Sequence, residues 1–263
     1  MTLQSQRSAW QVTAAVWKAL FLREALVRLF GTRMAWAWGM VEPMVNILWL
    51  VMIFSVIRVH HVGGIGTALW IMVGMLVFFT FRRTATQVQN SLGANEALFA
   101  YRQVKPVDVA LVRAGVEGVL MLVLSSLMFS VGAIFDWVIW PEDPWNVLEA
   151  FFIAWACATG LGLVFAVSIK LVPEAGRIIG FIMMPLMMIS GVMFPLTMVS
   201  QQYREWLMLN PIAHAIEAAR LGFAPYYHAV PELDLSYAGF SALVLLFAGL
   251  ALFRRFANRL VMQ

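Results

Sequence analysis

The chain has 263 residues, of which 62% are hydrophobic and 12% are charged, and its mean hydropathy is +0.82. A soluble domain of this size carries about 25% charged residues because its surface faces water. The composition therefore excludes a soluble globular protein and predicts an all-helical integral membrane protein, with residues 1–263 forming a single transmembrane domain. One cysteine, Cys157, excludes an internal disulfide and a cysteine-based metal cluster.

The segment 9–33 is too short and too charged to cross a membrane, yet it is rich in Trp, Leu and Phe. Arg7, Gln11 and Lys18 share one helical face, which is typical of a helix that lies along the membrane surface. We therefore expect an N-terminal amphipathic interface helix over residues 9–33. It serves either as a simple anchor or as a segment that receives an acidic substrate at the cytoplasmic face.

Six charge-poor stretches are predicted to be transmembrane helices. The first contains a single charge, Glu42, and at 1.5 Å per residue it extends about 33 Å, which is enough to cross the hydrocarbon core. In chain order, the six predicted spans are 36–57, a stretch within 59–81, 118–135, 150–169, a stretch within 178–198, and 235–253.

The basic residues predict the orientation of these spans. Fifteen of the 18 lie at one set of span ends, and the other side holds only three, together with eight of the 14 acidic residues. Because basic residues concentrate on the cytoplasmic side of membrane proteins, both termini are predicted to be cytoplasmic, with six crossings. The high sequence pI, about 9.6, is thus mostly a signal of topology, and nucleic acid binding is excluded.

Motifs for enzymatic chemistry are absent from the sequence. There is no Gly-x-x-x-x-Gly-Lys-Ser/Thr phosphate loop, so the chain cannot hydrolyse ATP by that route. The adjacent His60 and His61 have no carboxylate at zinc-site spacing, and neither paired intramembrane aspartates nor a Gly-x-Ser-x-Gly elbow occurs. We therefore predict no catalytic residue, no metal site and no cofactor in this chain.

Five segments together carry a resemblance to a known family. They are ALFLRE at 19–24, WAWGMVEP at 36–43, NEALFAYRQVKPVD at 95–108, SGVMFPL at 190–196 and NPIAHAIEAAR at 210–220. In this order they resemble the ABC-2 class of ABC exporter permeases and, more narrowly, the inner-membrane permeases of Kps-type capsular polysaccharide export. The resemblance covers nearly the whole chain. Its most specific elements are Leu-Arg-Glu, Trp-x-x-x-Glu-Pro and Tyr-Arg-x-Val-Lys-Pro.

The resemblance implies a homodimer in the bacterial inner membrane that works with two copies of a separate ATPase subunit, which binds ATP and Mg²⁺. The substrate would be a lipid-linked acidic capsular polysaccharide, exported from the cytoplasm with the help of a periplasmic adaptor and an outer-membrane channel. An O-antigen or teichoic-acid exporter permease is the alternative within the same class. A secondary transporter or an intramembrane enzyme is the alternative outside it.

The resemblance also implies a coupling helix in the cytoplasmic loop 91–106, which would dock on the ATPase. Pro106 ends this helix near Val104. The alternative is an ordinary connecting helix that lies on the membrane. The residues implied in coupling are Glu96, Leu98, Phe99, Tyr101, Arg102 and Lys105.

Two groups of residues are candidates for contact with the substrate. Trp38, Glu42, Asn46 and Trp49 share one face of the first span, where they either line the substrate path or serve as interfacial anchors with a structural carboxylate. Four arginines flank the ends of the first two spans and can bind an anionic head bidentately, unless they only set the topology. They are Arg28, Arg33, Arg82 and Arg83.

The segment 191–221 is the apolar stretch least like a span, because glycine and proline interrupt it. We expect short re-entrant helices here, before the last span, that gate the exit on the external side. A surface loop is the alternative. The candidate gate residues are Phe194, Pro195, His214, Glu217 and Arg220.

Overall fold

The computed structural model describes residues 9–30, 35–56, 61–101 and 103–261. Helices account for most of these residues. The α-helices are α1 Ala9–Phe30, α2 Ala35–Val56, α3 Thr67–Gln89, α4 Pro106–Ile134, α5 Pro144–Leu171, α6 Ala175–Ile189, α7 Gln201–Leu207, α8 Pro211–Phe223, α9 Leu235–Arg255 and α10 Ala257–Val261. Two 3₁₀ helices, Gly93–Ala100 and Leu196–Met198, lie in the connections. A two-residue hairpin pairs β1 His61–Val62 with β2 Ile65–Gly66 antiparallel.

Helix α3 is the centre of the bundle. Its side chains are buried continuously from Leu69 to Phe81, which leaves no polar face for water. It packs against α2, α4, α5 and α8, while α5 packs in turn against α8 and α9. Small residues allow the α5–α9 contact, since a Cβ on Gly160 would lie 2.5 Å from the backbone carbon of Leu245.

Four helices of the described chain are long and apolar enough to cross a membrane: α3, α4, α5 and α9. Two shorter apolar segments accompany them, Gly39–Phe54 within α2 and Ala175–Ile189, which is α6. The predicted class, an all-helical membrane protein, is confirmed. The predicted stretch 178–198 is shorter than expected, because α6 ends at Ile189 and Gly191 turns the chain with a φ of +73°.

Helix α4 begins at Pro106, twelve residues before the predicted span 118–135. Proline is well placed at the first position of a helix, where its missing N–H is not needed. The helix then continues through Arg113 and Glu117. Because these residues are charged, the predicted span began only after them, at residue 118. Both are paired with side chains of other helices, which removes the penalty for burying them.

Helix α1 occupies the place of the predicted interface helix, while residues 31–33 of that prediction lie outside the described part. Its face toward α4 includes Leu20 and Glu24, both buried. Large apolar side chains such as Trp10 and Leu26 are exposed on the rest of the helix. This surface suits an apolar environment better than water.

Candidate functional site

One face of α2 is exposed and mixes polar with aromatic side chains. Glu42, Asn46 and Trp49 share that face, and the Trp49 side chain is 61% exposed. On the opposite face, Ile47 is fully buried in the core that includes α3. Three of the four residues of the predicted substrate path therefore lie together on an exposed surface. The side chain of the fourth, Trp38, lies outside the described residues.

Five charged side chains join α1, α3 and α4 at one end of the bundle; this arginine cluster consists of Glu24, Arg28, Arg83, Arg113 and Glu117. Glu117 is fully buried and accepts hydrogen bonds from Arg28 and from Nε of Arg83, the latter at 2.7 Å. Glu24 pairs with Nε of Arg28 at 3.0 Å and with Nε of Arg113 at 2.9 Å. Three arginines against two glutamates leave one formal positive charge in excess.

A cavity of about 310 Å³ opens beside the arginine cluster. Its wall also contains Gln87, whose Oε1 accepts a hydrogen bond from Arg28 at 2.9 Å. Of the four arginines predicted to bind an acidic substrate, the structure brings Arg28 and Arg83 together here. Arg82 is not part of the wall, and Arg33 lies outside the described residues.

Sequence reasoning missed the acidic partners of these arginines. Glu24 lies on α1, far along the chain from Arg113, and nothing in the sequence shows that the two meet. Glu117 did carry a signal, because a carboxylate at the start of an apolar stretch normally has a partner in the protein. That signal predicts an ion pair for Glu117 but does not identify the basic residue that forms it.

The segment implied in coupling forms a 3₁₀ helix, Gly93–Ala100, rather than an α-helix. Leu98 and Phe99 are half-buried and pack against the start of α4, whereas Tyr101 is 66% exposed. Glu96 accepts a 2.6 Å hydrogen bond from Nζ of Lys170 at the end of α5. Lys105 is exposed just before α4. Arg102, also implied in coupling, lies outside the described residues.

Helix α1 contacts this segment directly. Arg23 donates a hydrogen bond to the side-chain oxygen of Asn95 at 3.0 Å, and Nε1 of Trp17 donates to Asp108 at 3.0 Å. The amide nitrogen of Asn95 donates back to the carbonyl of Ser91 at 3.0 Å. Side-chain contacts therefore join α1, the start of α4 and the segment implied in coupling, which we call the coupling segment.

At the other end of the bundle, Arg220 is fully buried and joins α8 to α3; its partners form what we call the Arg220 network. Its guanidinium stacks on Trp70 at 3.9 Å and donates to Glu217 and to the carbonyl of Gly191, each at 2.9 Å. Glu217 also accepts a hydrogen bond from the Tyr227 hydroxyl at 3.1 Å. Burial raises the pKa of Tyr227 to about 12, so the hydroxyl keeps its proton and remains a donor.

His214, the third polar candidate of the predicted gate, is buried beside this network. Its Nδ1 accepts a hydrogen bond from the backbone N–H of Asp234 at 3.0 Å. A backbone N–H can only donate, so Nδ1 carries no proton, and Nε2–H donates to the carbonyl of Met208 at 2.6 Å. The ring is therefore neutral and holds two loops together.

The remaining gate candidates, Phe194 and Pro195, are half-buried in the turn between α6 and α7. Beyond them Arg204 of α7 makes a bidentate pair with Glu232, with both N–O distances at 2.8 Å. The hydrogen bond from Arg204 lowers the pKa of Glu232 below its ordinary value. The polar gate candidates thus lie inside the α8 packing rather than on a solvent-facing wall.

Within the described residues, no three His, Cys, Asp or Glu side chains come close enough together to hold a metal ion. Of the two adjacent histidines, His61 is exposed and His60 lies outside the described part. The contacts observed in the described sites are ion pairs, hydrogen bonds and aromatic stacking.

Several known proteins are similar to this chain over nearly its whole length. The polysialic acid transport protein KpsM of Escherichia coli is 31% identical over 255 residues, which cover 94% of this chain and 96% of that protein. The capsule polysaccharide export inner-membrane protein CtrC of Neisseria meningitidis is 28% identical over 244 residues, 91% of this chain and 90% of CtrC. BexB of Haemophilus influenzae, also a capsule polysaccharide export inner-membrane protein, is 25% identical over 247 residues, 94% of this chain and 93% of BexB.

A family match covers most of the chain as well. Residues 15–224 match the ABC-2 type transporter family, from within α1 to just beyond α8. With this match and a relative above 30% identity over nearly its whole length, the chain belongs to the ABC-2 type transporter family.

Proposed function

We propose that the chain is the transmembrane permease subunit of an ATP-driven exporter that moves lipid-linked acidic capsular polysaccharide out of the cytoplasm. Family membership supports the transport role, and the relatives are named for polysialic acid transport and capsule polysaccharide export. ATP hydrolysis belongs to a separate partner subunit, which binds ATP and Mg²⁺. A capsule substrate is favoured over O-antigen or teichoic acid because of these relatives.

The observation that carries the proposal is the exposed carboxylate of Glu42 in the apolar helix α2. A charged group against lipid costs up to about 2.5–3.5 kcal/mol, the value on insertion scales for the centre of a span, so it normally faces protein or water. A second copy of the chain would cover this face and enclose a polar path. Trp38, Asn46 and Trp49 would then meet the sugar rings along that path.

Helix α6 supports the same arrangement. Within the described residues its main packing partner is α5, and it exposes much of its apolar surface, including Phe181 at 79% and Met184 at 73%. Exposed apolar surface suits a helix interface as well as lipid. We place α2 and α6 at the homodimer interface, as the two shorter of six crossings, with both termini in the cytoplasm.

The arginine cluster is the proposed site where the anionic end of the substrate arrives. Its excess positive charge and the adjacent cavity suit a phosphate or carboxylate, which arginine binds bidentately. Arg33 and Arg82 would add charge at the rim. The segment 91–106 would engage two ATPase copies, and the segment 191–221 would gate the exit toward a periplasmic adaptor and an outer-membrane channel.

Gene replacement in the native capsulated bacterium tests the proposal. Without the chain, polymer should accumulate inside the cell with its lipid terminus attached, and surface polymer should be lost. Trp49→Ala should restore less surface polymer than wild type at equal protein level, whereas Trp145→Ala, which removes an even more exposed ring on α5, should restore it fully. Normal surface display without the chain would contradict the proposed function.

A further inference from the structure

A second site unrelated to the proposed substrate path lies between α4 and α5. These helices follow one another in the chain and both pack on α3, but they make little contact with each other. Two adjoining cavities of about 340 and 400 Å³ fill the gap and share Leu122, Leu148 and Phe151 in their walls. We call the pair the α4–α5 groove.

The groove is apolar and extends along most of the membrane thickness. Its walls run from Gly115 to Ala133 on α4, about 27 Å at 1.5 Å per residue, compared with about 30 Å for the hydrocarbon core. Its volume is in the range of small-molecule sites, 300–1,000 Å³, and is too small for a helix about 10 Å in diameter. A slender apolar chain is the shape that fits.

Small residues and one tryptophan shape the groove at its far end. Gly118 leaves room for Trp155, since a Cβ there would lie 2.8 Å from the indole Nε1. That nitrogen donates to the carbonyl of Ala114 at 2.8 Å, which closes this end across α4. The opposite end, beside Trp140 and Pro141, opens next to the loop between α4 and α5.

The open end is negatively charged. Residues 135–149 contain four acidic and no basic side chains, and all four acids are exposed: Asp136, Glu142, Asp143 and Glu149. Each lies within two positions of a groove-lining residue. Exposed tryptophans surround the same end, including Trp140 at 89% and Trp145 at 80%, as in the aromatic belt at a membrane surface.

We propose that the α4–α5 groove binds an acyl chain of a phospholipid whose headgroup carries an ammonium ion, from the leaflet that contacts residues 135–149. The acyl chain lies along Leu122 and Phe151, and the headgroup lies among the carboxylates. An ammonium ion is attracted there, whereas the net charge of an anionic headgroup is repelled. The site is separate from the α2 face and does not depend on the exported polymer.

Native mass spectrometry of the full-length protein in detergent tests the proposal, with phosphatidylethanolamine and phosphatidylglycerol of identical acyl chains as competing probes. The wild type should retain one phosphatidylethanolamine per chain after delipidation. Ser126→Trp places a ring in the groove and should reduce retention at least about tenfold, the effect of losing roughly two buried methylenes. Ala251→Trp, a matched small-to-Trp change on the exposed face of α9, should leave retention unchanged.

A charge variant tests the headgroup separately. Glu142→Gln with Glu149→Gln should keep lipid retention but reduce the preference for phosphatidylethanolamine about twofold to thirtyfold, the range expected for the loss of two exposed ion pairs. Glu174→Gln, which removes an exposed carboxylate at the other end of α5, should leave the preference intact. Equal retention of both lipids by the wild type would overturn the headgroup assignment.

Photo-cross-linking of the wild type gives a result that does not depend on how the variants fold. Phosphatidylethanolamine with a diazirine on its acyl chain should label peptides of α4 and α5 more than those of α9. Equal labelling of α9, or unchanged retention in the folded Ser126→Trp protein, would overturn the proposal. So would loss of this labelling in the native complex, which is the result expected if a partner's transmembrane helix occupies the groove in place of lipid.

Discussion

Glu117 is the residue on which the arginine cluster depends. It is fully buried and receives side chains from α1 and α3 while lying on α4 itself. Desolvating a carboxylate is costly, and the two guanidinium groups offset that cost only together. Removing the carboxylate would leave Arg28 and Arg83 close to each other without their shared counter-charge.

We therefore predict that Glu117→Leu lowers the free energy of unfolding by about 2–3 kcal/mol. This is less than the 3–5 kcal/mol for breaking a fully buried pair, because Arg83 is 25% exposed. Thermal unfolding of the purified protein measures the effect, and proteolysis of α1 should become faster. Glu174→Gln on an exposed loop serves as the control, and an unchanged unfolding temperature for Glu117→Leu would contradict the role.

Gly74 makes room for the Arg220 network. A Cβ at this position would lie 2.5 Å from Nη2 of Arg220. The end of an arginine side chain is usually free to move, but this one stacks on Trp70 and donates to Glu217 and Gly191. Any shift therefore breaks buried contacts.

Gly74→Ala should consequently destabilise the protein by about 1–3 kcal/mol, the usual cost of overpacking, although alanine is the better helix former. Gly115→Ala is the matched control, because no atom lies within 4 Å of its added Cβ, and it should be neutral or slightly stabilising. Unfolding temperatures of the two variants in the same detergent give the comparison. Equal values would show that Arg220 can move without loss.

At the scale of elements, the coupling segment presents one aromatic ring outward and one inward. Phe99 packs against the start of α4, and Tyr101, two residues later, is 66% exposed. The exposed ring is the one available to a partner. A buried apolar anchor of this size contributes about 1.5–3 kcal/mol to the surface that it joins.

The two rings should therefore respond differently to truncation. Tyr101→Ala should leave the unfolding temperature unchanged but weaken binding of the ATPase subunit about tenfold or more, as measured with the purified components. Phe99→Ala should instead destabilise the chain itself by about 2–3 kcal/mol, less than the 3–5 kcal/mol of a fully buried Phe. Tight ATPase binding by Tyr101→Ala would show that this segment is only a connector.

The sequence predicts a helix best where hydropathy alone identifies it. The all-helical membrane class follows from charge-poor stretches alone, and the predicted spans 150–169 and 235–253 fall within α5 and α9. The stretch predicted within 59–81 is shifted, because α3 begins at Thr67, after the hairpin, and continues to Gln89. The start of α4 was not predicted in place, because Arg113 and Glu117 look too polar to be buried until their partners are known. Pairing between distant segments is invisible in a pattern of hydropathy.

The same limit applies to the predicted gate. Spacing places His214, Glu217 and Arg220 on one helical face, as the structure shows, but it does not show whether that face is open or packed. The partners of Glu217 and Arg220 come from α3, from the turn at Gly191 and from the loop at Tyr227. Only the folded arrangement shows that these three side chains are packed in buried contacts.

For the molecule as a whole, the polar and charged contacts lie at the two ends and the apolar surface lies between them. The arginine cluster connects α1, α3 and α4 at one end. The Arg220 network connects α3, α8 and the loops at the other. Between them α3 and α5 form a packed centre, whereas α2 and α6 each retain a large exposed face.

Those two exposed faces predict where a second copy of the chain binds. Val45 on α2 and Ile182 on α6 are 55% and 50% exposed. If the faces meet across a homodimer, Val45→Cys combined with Ile182→Cys should give a covalent dimer with a short bis-maleimide in native membranes. The native Cys157 is fully buried and should not react.

Val244→Cys on α9, 49% exposed, is the matched control and should remain monomeric. Equal cross-linking of the control would indicate random collision, and no dimer from the double variant would place the interface elsewhere.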